Sequence, residues 1–490
     1  MHKMIPLRSP NYALPYRRLS TLHRRLCSTT QTDIGSDTPR FPPVPSVFVS
    51  QSYRRVRNSP TLPLEAVAIP HTVQAEVHAL IKEHSLSAKN IRKHVKALDL
   101  LRAQDFERRK IVSRKGQPIV RRPLKYDEEE AVSYAALRMP ATLAANVFVM
   151  AEIRRLLPDF APIKLLDFGT GVGVSVMAAA RAFPNPTPDQ GSSSIRMAAL
   201  VDQSEPMLRV GSKILKSDPA ASSTSVSSAL SLHDKVLRQA EFDIVCASYS
   251  LNEIVRKAMA NPLDCEDSDR DGGSVSREKR VKLAENNLRR TVKSLWSRTA
   301  PGGLLIVVED GTAAGFEIVS FARDLLLRYN DAETVKAEHL DSNSSGHKDR
   351  ATQARVVAPC LHSRTCPLRG SITRRRICRF QQRLNRPLFS RNARPLPTGY
   401  EDEYFSFIAI QKILLEEKSP NDTEAKGWGR LIRPPLMKGK HIALDACTKD
   451  GNLERRVVSK KNAPLGSSLE PVGPNGVMYG QKNPVLVYKY

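Results

Sequence analysis

The sequence contains few cysteines, no long apolar run and, within residues 1–32, no acidic residue. Seven cysteines in 490 residues are too sparse for the disulfide framework of a secreted domain. No segment approaches the ~18 consecutive apolar residues of a membrane-spanning helix, so we expect no membrane insertion. The chain has 76 Lys and Arg against 50 Asp and Glu, a formal charge of +26. Such an excess favours a polyanionic partner, RNA first, over a basic protein that is merely soluble.

The amino-terminal segment has the composition of an organelle presequence. Residues 1–32 hold six Lys or Arg among Ser, Thr and Leu, and they lack the apolar segment of a secretory signal. We predict a mitochondrial presequence because arginine is dense and appears early. A chloroplast transit peptide and an ordinary basic tail are the alternatives. Without this segment the formal charge falls to +20.

A basic helical region, an α/β domain and a cysteine-bearing extension follow. Residues 92–125 carry twelve Lys and Arg against three acids, within and beyond a stretch of helical apolar spacing. Strands then alternate with helices at the spacing of a parallel, doubly wound sheet. Three stretches without apolar periodicity predict surface loops: 184–194, 262–280 and 331–350. The predicted divisions are a presequence (1–32), a disordered linker (33–62), a basic helical region (63–126), the α/β domain (127–353), a cysteine loop with the last sheet strands and a hairpin (354–460), and a flexible tail (461–490).

A glycine turn after the first strand of the α/β domain predicts a cofactor site. Residues 163–166 form a short apolar strand, which leads through D-x-G-x-G-x-G into a helix. Glycines let the backbone approach a ligand, and the helix amino terminus directs free N–H groups at it. An acid ends the next strand, where it can accept hydrogen bonds from ribose hydroxyls. The predicted cofactor-binding residues are Asp167, Gly169, Gly171, Gly173 and Asp202. Over about residues 140–330 this pattern resembles class I S-adenosylmethionine-dependent methyltransferases.

No catalytic group for methyl transfer is identifiable in the sequence. Families that methylate exocyclic amines of nucleic acids carry Asn/Asp-Pro-Pro-aromatic after the fourth strand, where this chain has Ser250-Leu251-Asn252-Glu253. A Pro-Cys nucleophile is also missing, since Cys246 lies within the strand itself. A methyltransferase fold used as a structural module and an active enzyme are therefore both open, and the catalytic residues stay unassigned.

Three of the seven cysteines lie within nineteen residues. Cys360, Cys366 and Cys378 are separated by five and eleven residues, and Cys447 is the only cysteine further along the chain. Clustered thiolates predict a soft metal centre. The paired C-x₂-C knuckles typical of zinc are absent, so the spacing fits an iron–sulfur cluster somewhat better. Zinc and unligated thiols remain alternatives on spacing alone.

Motifs spread over about residues 125–460 resemble one family. They include Tyr134-Ala135-Ala136-x-Arg138-x-Pro140, Glu309-x-Gly311-Thr312, Ala358-Pro359-Cys360-x-His362, Tyr400-Glu401-Asp402-Glu403 and Leu444-Asp445-x-Cys447-Thr448. Together they are similar to the methyltransferase-like assembly factors of the mitochondrial small ribosomal subunit. The chain departs from that family in two places. Ile377-Cys378-Arg379 stands where members often have Trp-Cys-His. The Trp-Gly-Asp segment usual after the last hairpin is missing, so we expect residues 471–490 to match no part of the family.

This resemblance implies a class I methyltransferase (Rossmann-like) α/β fold and a location in the mitochondrial matrix. It also implies association, as a monomer, with small-subunit rRNA and ribosomal proteins. Its implied cofactors are a [4Fe–4S] cluster and, optionally, S-adenosylmethionine. The implied cluster ligands are Cys360, Cys366, Cys378 and Cys447. We therefore expect a subunit assembly and translation factor with little or no catalytic activity, the alternative being an active rRNA methyltransferase.

The arginine-rich stretch beside the cysteines is the predicted RNA contact. Residues 369–394 hold nine arginines and no acid, and two phenylalanines lie among them. Arginine pairs with phosphate and stacks on bases, whereas a solvated charge run is the alternative. The residues expected to bind RNA are Arg374, Arg375, Arg376, Arg379 and Arg383.

Overall fold

A computed structural model describes most of the chain between residues 66 and 459. The described residues are 66–102, 126–185, 193–237, 240–259, 277–338, 352–369, 377–414, 429–432, 436–437 and 441–459. The predicted presequence, linker and tail lie outside them. The helices are α1 (His71–Glu83), α2 (Ala88–Arg102), α3 (Glu128–Leu137), α4 (Met139–Leu156), α5 (Val174–Ala182), α6 (Glu205–Ser217), α7 (Leu251–Met259), α8 (Arg277–Ser297), α9 (Ala313–Glu338) and α10 (Leu388–Ala393). The strands are β1 (Lys164–Phe168), β2 (Met197–Val201), β3 (Ser225–Ala229), β4 (Phe242–Ser248), β5 (Thr299–Asp310), β6 (Thr352–Ala358), β7 (Phe380–Asn385), β8 (Tyr400–Leu414), β9 (Gly429–Leu431), β10 (Leu436–Met437), β11 (His441–Thr448) and β12 (Leu453–Ser459).

Local sequence explains where α3 and α4 begin. The Asp127 side chain accepts the N–H of Glu130 at 2.8 Å, and the Glu130 carboxylate accepts the N–H of Asp127 at 3.3 Å, which forms a capping box. Pro140 occupies the first turn of α4, where its missing N–H removes no intrahelical bond. The two helices meet at a bend of 56°. Of the helices described, none is by itself long and apolar enough to cross a membrane, and only this bent pair reaches that length and composition.

An eight-stranded sheet forms the centre of the fold. Its strand order is β3-β2-β1-β4-β5-β8-β6, and β7 pairs with β8 beside this path. The first five strands are parallel, whereas β8 runs antiparallel to β5 and β6. The order reverses between β1 and β4, which makes their carboxyl ends the switch point of a doubly wound sheet. A last antiparallel strand between β5 and β6 is the arrangement of class I methyltransferases. The predicted fold class is confirmed.

The central strands are buried on both faces and separate two apolar cores. Leu165 and Ile306 pack into the core under α3, α4, α5 and α6, whereas Leu166 and Leu305 pack into the core under α7, α8 and α9. Successive side chains of a strand point to opposite faces, so one apolar run serves both cores. The strands that form the switch point, β1 and β4, are therefore packed against an apolar core on each face of the sheet.

Two of the predicted loops are shorter than the sequence suggested. Helix α8 begins at Arg277, four residues inside the predicted loop 262–280, and α9 continues to Glu338, eight residues into the predicted loop 331–350. The first four residues of α8 are all charged, and the last turns of α9 are mostly polar. Without apolar residues on one face, neither stretch carries the periodicity that marks a helix.

A second, smaller sheet docks beside the cysteines. In it β11 pairs with β9, β10 and β12, all antiparallel. Ile432, directly after β9, packs against Phe316 of α9 and Leu368. Arg430 of β9 and Glu152 of α4 form an ion pair at 3.2 Å in which both side chains are buried. This sheet is thus attached to the central domain by an apolar cluster and a buried charge pair.

Candidate functional site

The glycine turn lies at the carboxyl end of β1. Gly169, Gly171 and Gly173 have φ of +66°, +52° and +82°, a region that residues with a Cβ adopt only at a cost. A Cβ on Gly169 would lie 2.3 Å from the Cβ of Ser250, in the loop after β4. Glycine is therefore required here by backbone conformation and by packing, whether or not a cofactor binds.

Both predicted acids contact the glycine turn. Asp202 follows β2, and its carboxylate accepts the N–H groups of Gly171 and Ser204, each at 2.9 Å. Asp167 is fully buried and accepts the Thr170 hydroxyl at 2.7 Å. Burial raises the pKa of Asp202, and it raises the pKa of Asp167 to about 6 against the opposing effect of its hydrogen bonds. The five predicted cofactor residues thus lie together at one edge of the sheet.

The first turn of α7, directly after the loop that follows β4, is fixed to the neighbouring strand. The N–H groups of Leu251 and Asn252 donate to Oε1 of Glu309 on β5, at 2.9 and 3.1 Å. Ser250 is buried and fills the space over Gly169. The loop therefore packs against the glycine turn, and it holds neither of the methyl-transfer motifs sought in the sequence.

Tyr126, which the sequence did not single out, spans the same edge. Its backbone carbonyl accepts the Ser204 hydroxyl at 2.9 Å beside α6, and its phenolic O–H donates to Glu253 of α7 at 3.4 Å. Its ring meets the Tyr134 ring edge to face, with centroids 6.3 Å apart. Tyr126 thus bridges the helices that follow β2 and β4. It precedes α3 in an irregular stretch, so no periodicity marks it.

The four predicted metal ligands line one pocket. Cys360 follows β6, Cys366 lies in the next loop, Cys378 precedes β7 and Cys447 is on β11. The pocket is partly open to solvent, and its wall is mostly apolar apart from the thiols, His362 and two arginines. Burial raises the pKa values of Cys366 and Cys378 and raises that of Cys447 to about 12, and the neighbouring cysteines add to each shift. Four separate parts of the chain therefore bring a thiol to the same place.

A buried arginine organises the loop that carries two of these cysteines. Arg323 of α9 donates to the backbone carbonyls of His362 and Arg364, at 2.9 and 2.5 Å. Nε2 of His362 lies 3.3 Å from Sγ of Cys447. Burial, together with the charge of Arg323, lowers the pKa of His362 to about 4. The imidazole is therefore neutral at physiological pH, and Arg323 supplies a permanent positive charge at the pocket wall.

The cysteine pocket differs from a site for a single ion. In the part of the chain that the structure describes, no three His, Cys, Asp or Glu side chains are arranged to hold one metal ion. The ligands of one zinc ion all lie about 2.0–2.3 Å from a common point, whereas each cysteine of a [4Fe–4S] cube binds a different iron. The four thiols therefore share one pocket without being arranged as the ligands of a metal ion.

Two of the five arginines predicted to bind RNA lie among the described residues. Arg379 is exposed, and its guanidinium lies 5.1 Å from the centroid of the Tyr404 ring. Arg383 lies 4.1 Å from the Tyr400 ring and donates to the Asp402 carboxylate at 2.7 and 2.9 Å. The arginine-rich stretch has no acid of its own, so β8 supplies this counter-charge. The other three, Arg374, Arg375 and Arg376, lie outside the described residues.

Comparison with known proteins identifies the family. The family described as "Mitochondrial small ribosomal subunit Rsm22" matches residues 128–263 and 280–481. The chain belongs to this family. The match extends beyond residue 460, so the expectation that all of 471–490 lacks a counterpart was wrong for residues 471–481.

Individual relatives agree with this assignment. The human "Ribosome assembly protein METTL17, mitochondrial" is 27% identical over 343 residues, which are 69% of this chain and 59% of the human protein. "Rsm22-cox11 tandem protein 2, mitochondrial" of Schizosaccharomyces pombe is 24% identical over 366 residues, 70% of this chain and 42% of that protein. The chain thus spans about half the length of these relatives. Both are mitochondrial, which confirms the predicted localisation.

Solved structures are also similar to this member of the Rsm22 family. An O-methyltransferase of Bacillus cereus is 14% identical, covers 58% of this chain and 90% of its own, and gives a TM-score of 0.26. DesVI of Streptomyces venezuelae is 12% identical, covers 68% and 83%, and gives 0.24. Because these TM-scores are low, the fold assignment rests on the strand order of this chain itself.

Proposed function

We propose that this chain is an assembly factor of the mitochondrial small ribosomal subunit that binds the subunit rRNA and holds a [4Fe–4S] cluster on Cys360, Cys366, Cys378 and Cys447. The methyltransferase domain serves as a scaffold, and residues 1–32 direct import into the matrix. One observation carries the proposal: four thiols from distant parts of the chain converge on one pocket. Membership of the family supports the ribosomal role.

The chemistry of the donor set supports the cluster. Four cysteines are the ligand set of a [4Fe–4S] cluster, and metal binding drives folding where the ligands are not otherwise joined. When bound, the cluster would supply four iron–thiolate bonds that link β11 to the loops around β6 and β7. Arg323 and Arg430 line the pocket, where each is paired with a carboxylate (Asp324 and Glu152), and the positive charge of each opposes the raised pKa of Cys447.

Metal analysis tests this assignment directly. Full-length chain purified without oxygen should contain about four irons and four acid-labile sulfides. Cys378→Ser should lose both and make the second sheet sensitive to protease. Cys246→Ser is the matched control, since Cys246 is buried in β4 and does not line the pocket. Stoichiometric zinc without sulfide, or equal protease sensitivity of the two variants, would contradict the proposal.

A second candidate function, rRNA methylation, is favoured by one observation. Asp202 remains hydrogen-bonded to the glycine turn, in the position from which an acid accepts ribose hydroxyls of S-adenosylmethionine. The loop after β4 lacks both methyl-transfer motifs, which favours the scaffold instead. Cells carrying Asp202→Ala separate the two: normal assembly with a lost rRNA methyl group means an enzyme, whereas unchanged methylation supports a scaffold.

A further inference from the structure

Strands β7 and β8 pair antiparallel, and α10 lies in the connection between them. This β7–β8 hairpin has one buried and one open face. The register pairs Gln381 with Tyr404, Arg383 with Asp402 and Asn385 with Tyr400. Because side chains alternate along each strand, these residues share the outer face, together with Arg379 just before β7. The two tyrosines are 41% and 44% exposed, an unusual degree for two large aromatic rings on one strand.

Each of these tyrosines lies under an arginine. The guanidinium of Arg383 is 4.1 Å from the Tyr400 ring centroid, and that of Arg379 is 5.1 Å from the Tyr404 centroid. Arginine and tyrosine both present flat surfaces on which a base can stack. The outer face is therefore a row of flat, polarisable groups rather than an ordinary apolar patch.

The other face of the hairpin holds these groups in place. Phe380 and Phe405 pack on Phe148 of α4, with ring centroids 5.8 and 5.4 Å away. The free edge of β7 is covered by Val67, whose N–H donates to Arg383 O and whose carbonyl accepts from the N–H of Asn385, both at 2.9 Å. A ligand would thus find the rings already ordered, which lowers the entropic cost of binding.

The charge of this face suits a polyanion. Asp402 is the acid on the outer face, and Arg383 neutralises it through two hydrogen bonds. Glu401 pairs with Arg394. Among the described residues no ion pair is found for Arg379, so its positive charge remains available. The arginines at 374–376 precede it by three to five positions in the sequence.

We propose that this face, the tyrosine platform formed by Arg379, Arg383, Tyr400 and Tyr404, binds unpaired bases of single-stranded RNA. Tyr400 and Tyr404 are four residues apart on one strand, roughly 13 Å at ~3.3 Å per residue. Neighbouring bases of a duplex strand are only about 3.4 Å apart. Two bases that stack on these rings must therefore be splayed out of a helix, as bases in loops and unfolded segments are.

This proposal depends on the rRNA binding proposed above, and it specifies an unpaired segment as the kind of RNA that is bound. Double variants of the intact, anaerobically purified chain test it. Tyr400→Val with Tyr404→Val removes both rings but keeps residues that favour strands, and Tyr400→Phe with Tyr404→Phe keeps the rings as a matched control. Stacking contributes ~1 kcal/mol or more per base, about fivefold in affinity. Affinity for a single-stranded RNA oligonucleotide should thus fall about 25-fold in the Val variant and by less than twofold in the Phe variant.

Duplex RNA of the same sequence separates the possible outcomes. It should bind all three proteins equally, and 2-aminopurine in the single strand should be quenched only by proteins that keep the rings. Equal single-strand affinity of native and Val proteins would overturn the platform and leave rRNA binding intact. Failure of the native chain to bind either RNA would overturn both. A Val variant that loses a ribosomal protein but keeps the single strand would identify a protein-binding face and refute the RNA assignment.

Discussion

The buried carboxyl of Asp167 makes the stability of the chain depend on pH in a direction opposite to that of a salt-bridged acid. Burial raises its pKa from 3.8 to about 6 in the folded chain. Between these values the folded chain binds more protons than the unfolded chain, so the free energy of unfolding falls as pH rises. At about 1.4 kcal/mol per pKa unit, the cost reaches about 3 kcal/mol at pH 7.

Asp167→Asn removes this titration while keeping a side chain of similar size. We expect the unfolding free energy of the variant, minus that of the native chain, to increase by about 2.4 kcal/mol between pH 4 and pH 7, because the unfolded carboxyl is already partly ionised at pH 4. Carboxyls that do not interact with Asp167 titrate alike in both proteins and cancel in the difference. If the amide weakens a hydrogen bond, the difference in unfolding free energy changes by the same amount at every pH. The test therefore depends only on how this difference varies with pH.

Urea unfolding followed by circular dichroism at several pH values measures this slope. Asp159→Asn, which alters an exposed acid after α4, is the matched control. Parallel pH curves for native chain and Asp167→Asn would refute the argument, because they would mean that Asp167 ionises in the folded chain as easily as in the unfolded one. A difference that shrinks with rising pH would mean that its pKa is lowered.

Three further predictions concern the attachment of the second sheet, the glycine turn and the salt dependence of RNA binding. Glu152→Ala should destabilise the chain by about 3–5 kcal/mol, because it leaves the buried guanidinium of Arg430 without its carboxylate, and native-like urea midpoints would contradict this. Gly173→Ala should lower stability by roughly 1–2 kcal/mol, since φ is +82° and the new Cβ would lie 2.8 Å from Leu215; an unchanged melting temperature would refute the strain. The logarithm of RNA affinity should fall by ~0.7 per log unit of salt for each single-strand phosphate neutralised, so a flat titration would exclude an electrostatic contact.

The parts of the site that the sequence predicted are those encoded by neighbouring residues. Asp167 and the three glycines lie within seven positions, and strand, turn and helix follow each other without interruption. Gly169 and Gly171 stand where backbone conformation leaves little choice. Local sequence is therefore sufficient to place Asp167 and the glycine turn together at the carboxyl end of β1.

Contacts between distant residues could not be predicted in the same way. Glu152 and Arg430 are 278 positions apart, and no pattern in either segment marks them as partners. Cys447 was assigned by family resemblance, since its distance from Cys378 excludes any spacing rule. The alternation of Tyr400, Asp402 and Tyr404 predicts that they share one face of a strand. Their position beside Arg383 of β7 and Arg379, just before β7, is known only from the structure.

The structure also limits how strongly the proposed cluster could control the proposed RNA binding. Cys378 immediately precedes Arg379, and its carbonyl accepts the Ser406 hydroxyl of β8 at 2.8 Å. If the centre is lost, Cys378 loses one attachment and Arg379 becomes less ordered. Phe380, however, stays packed on α4, and the Arg383–Asp402 pair lies further along the hairpin. Loss of the cluster should thus weaken the tyrosine platform at its Tyr404 end and spare its Tyr400 end. RNA affinity would then be reduced, and not abolished, when the cluster is lost.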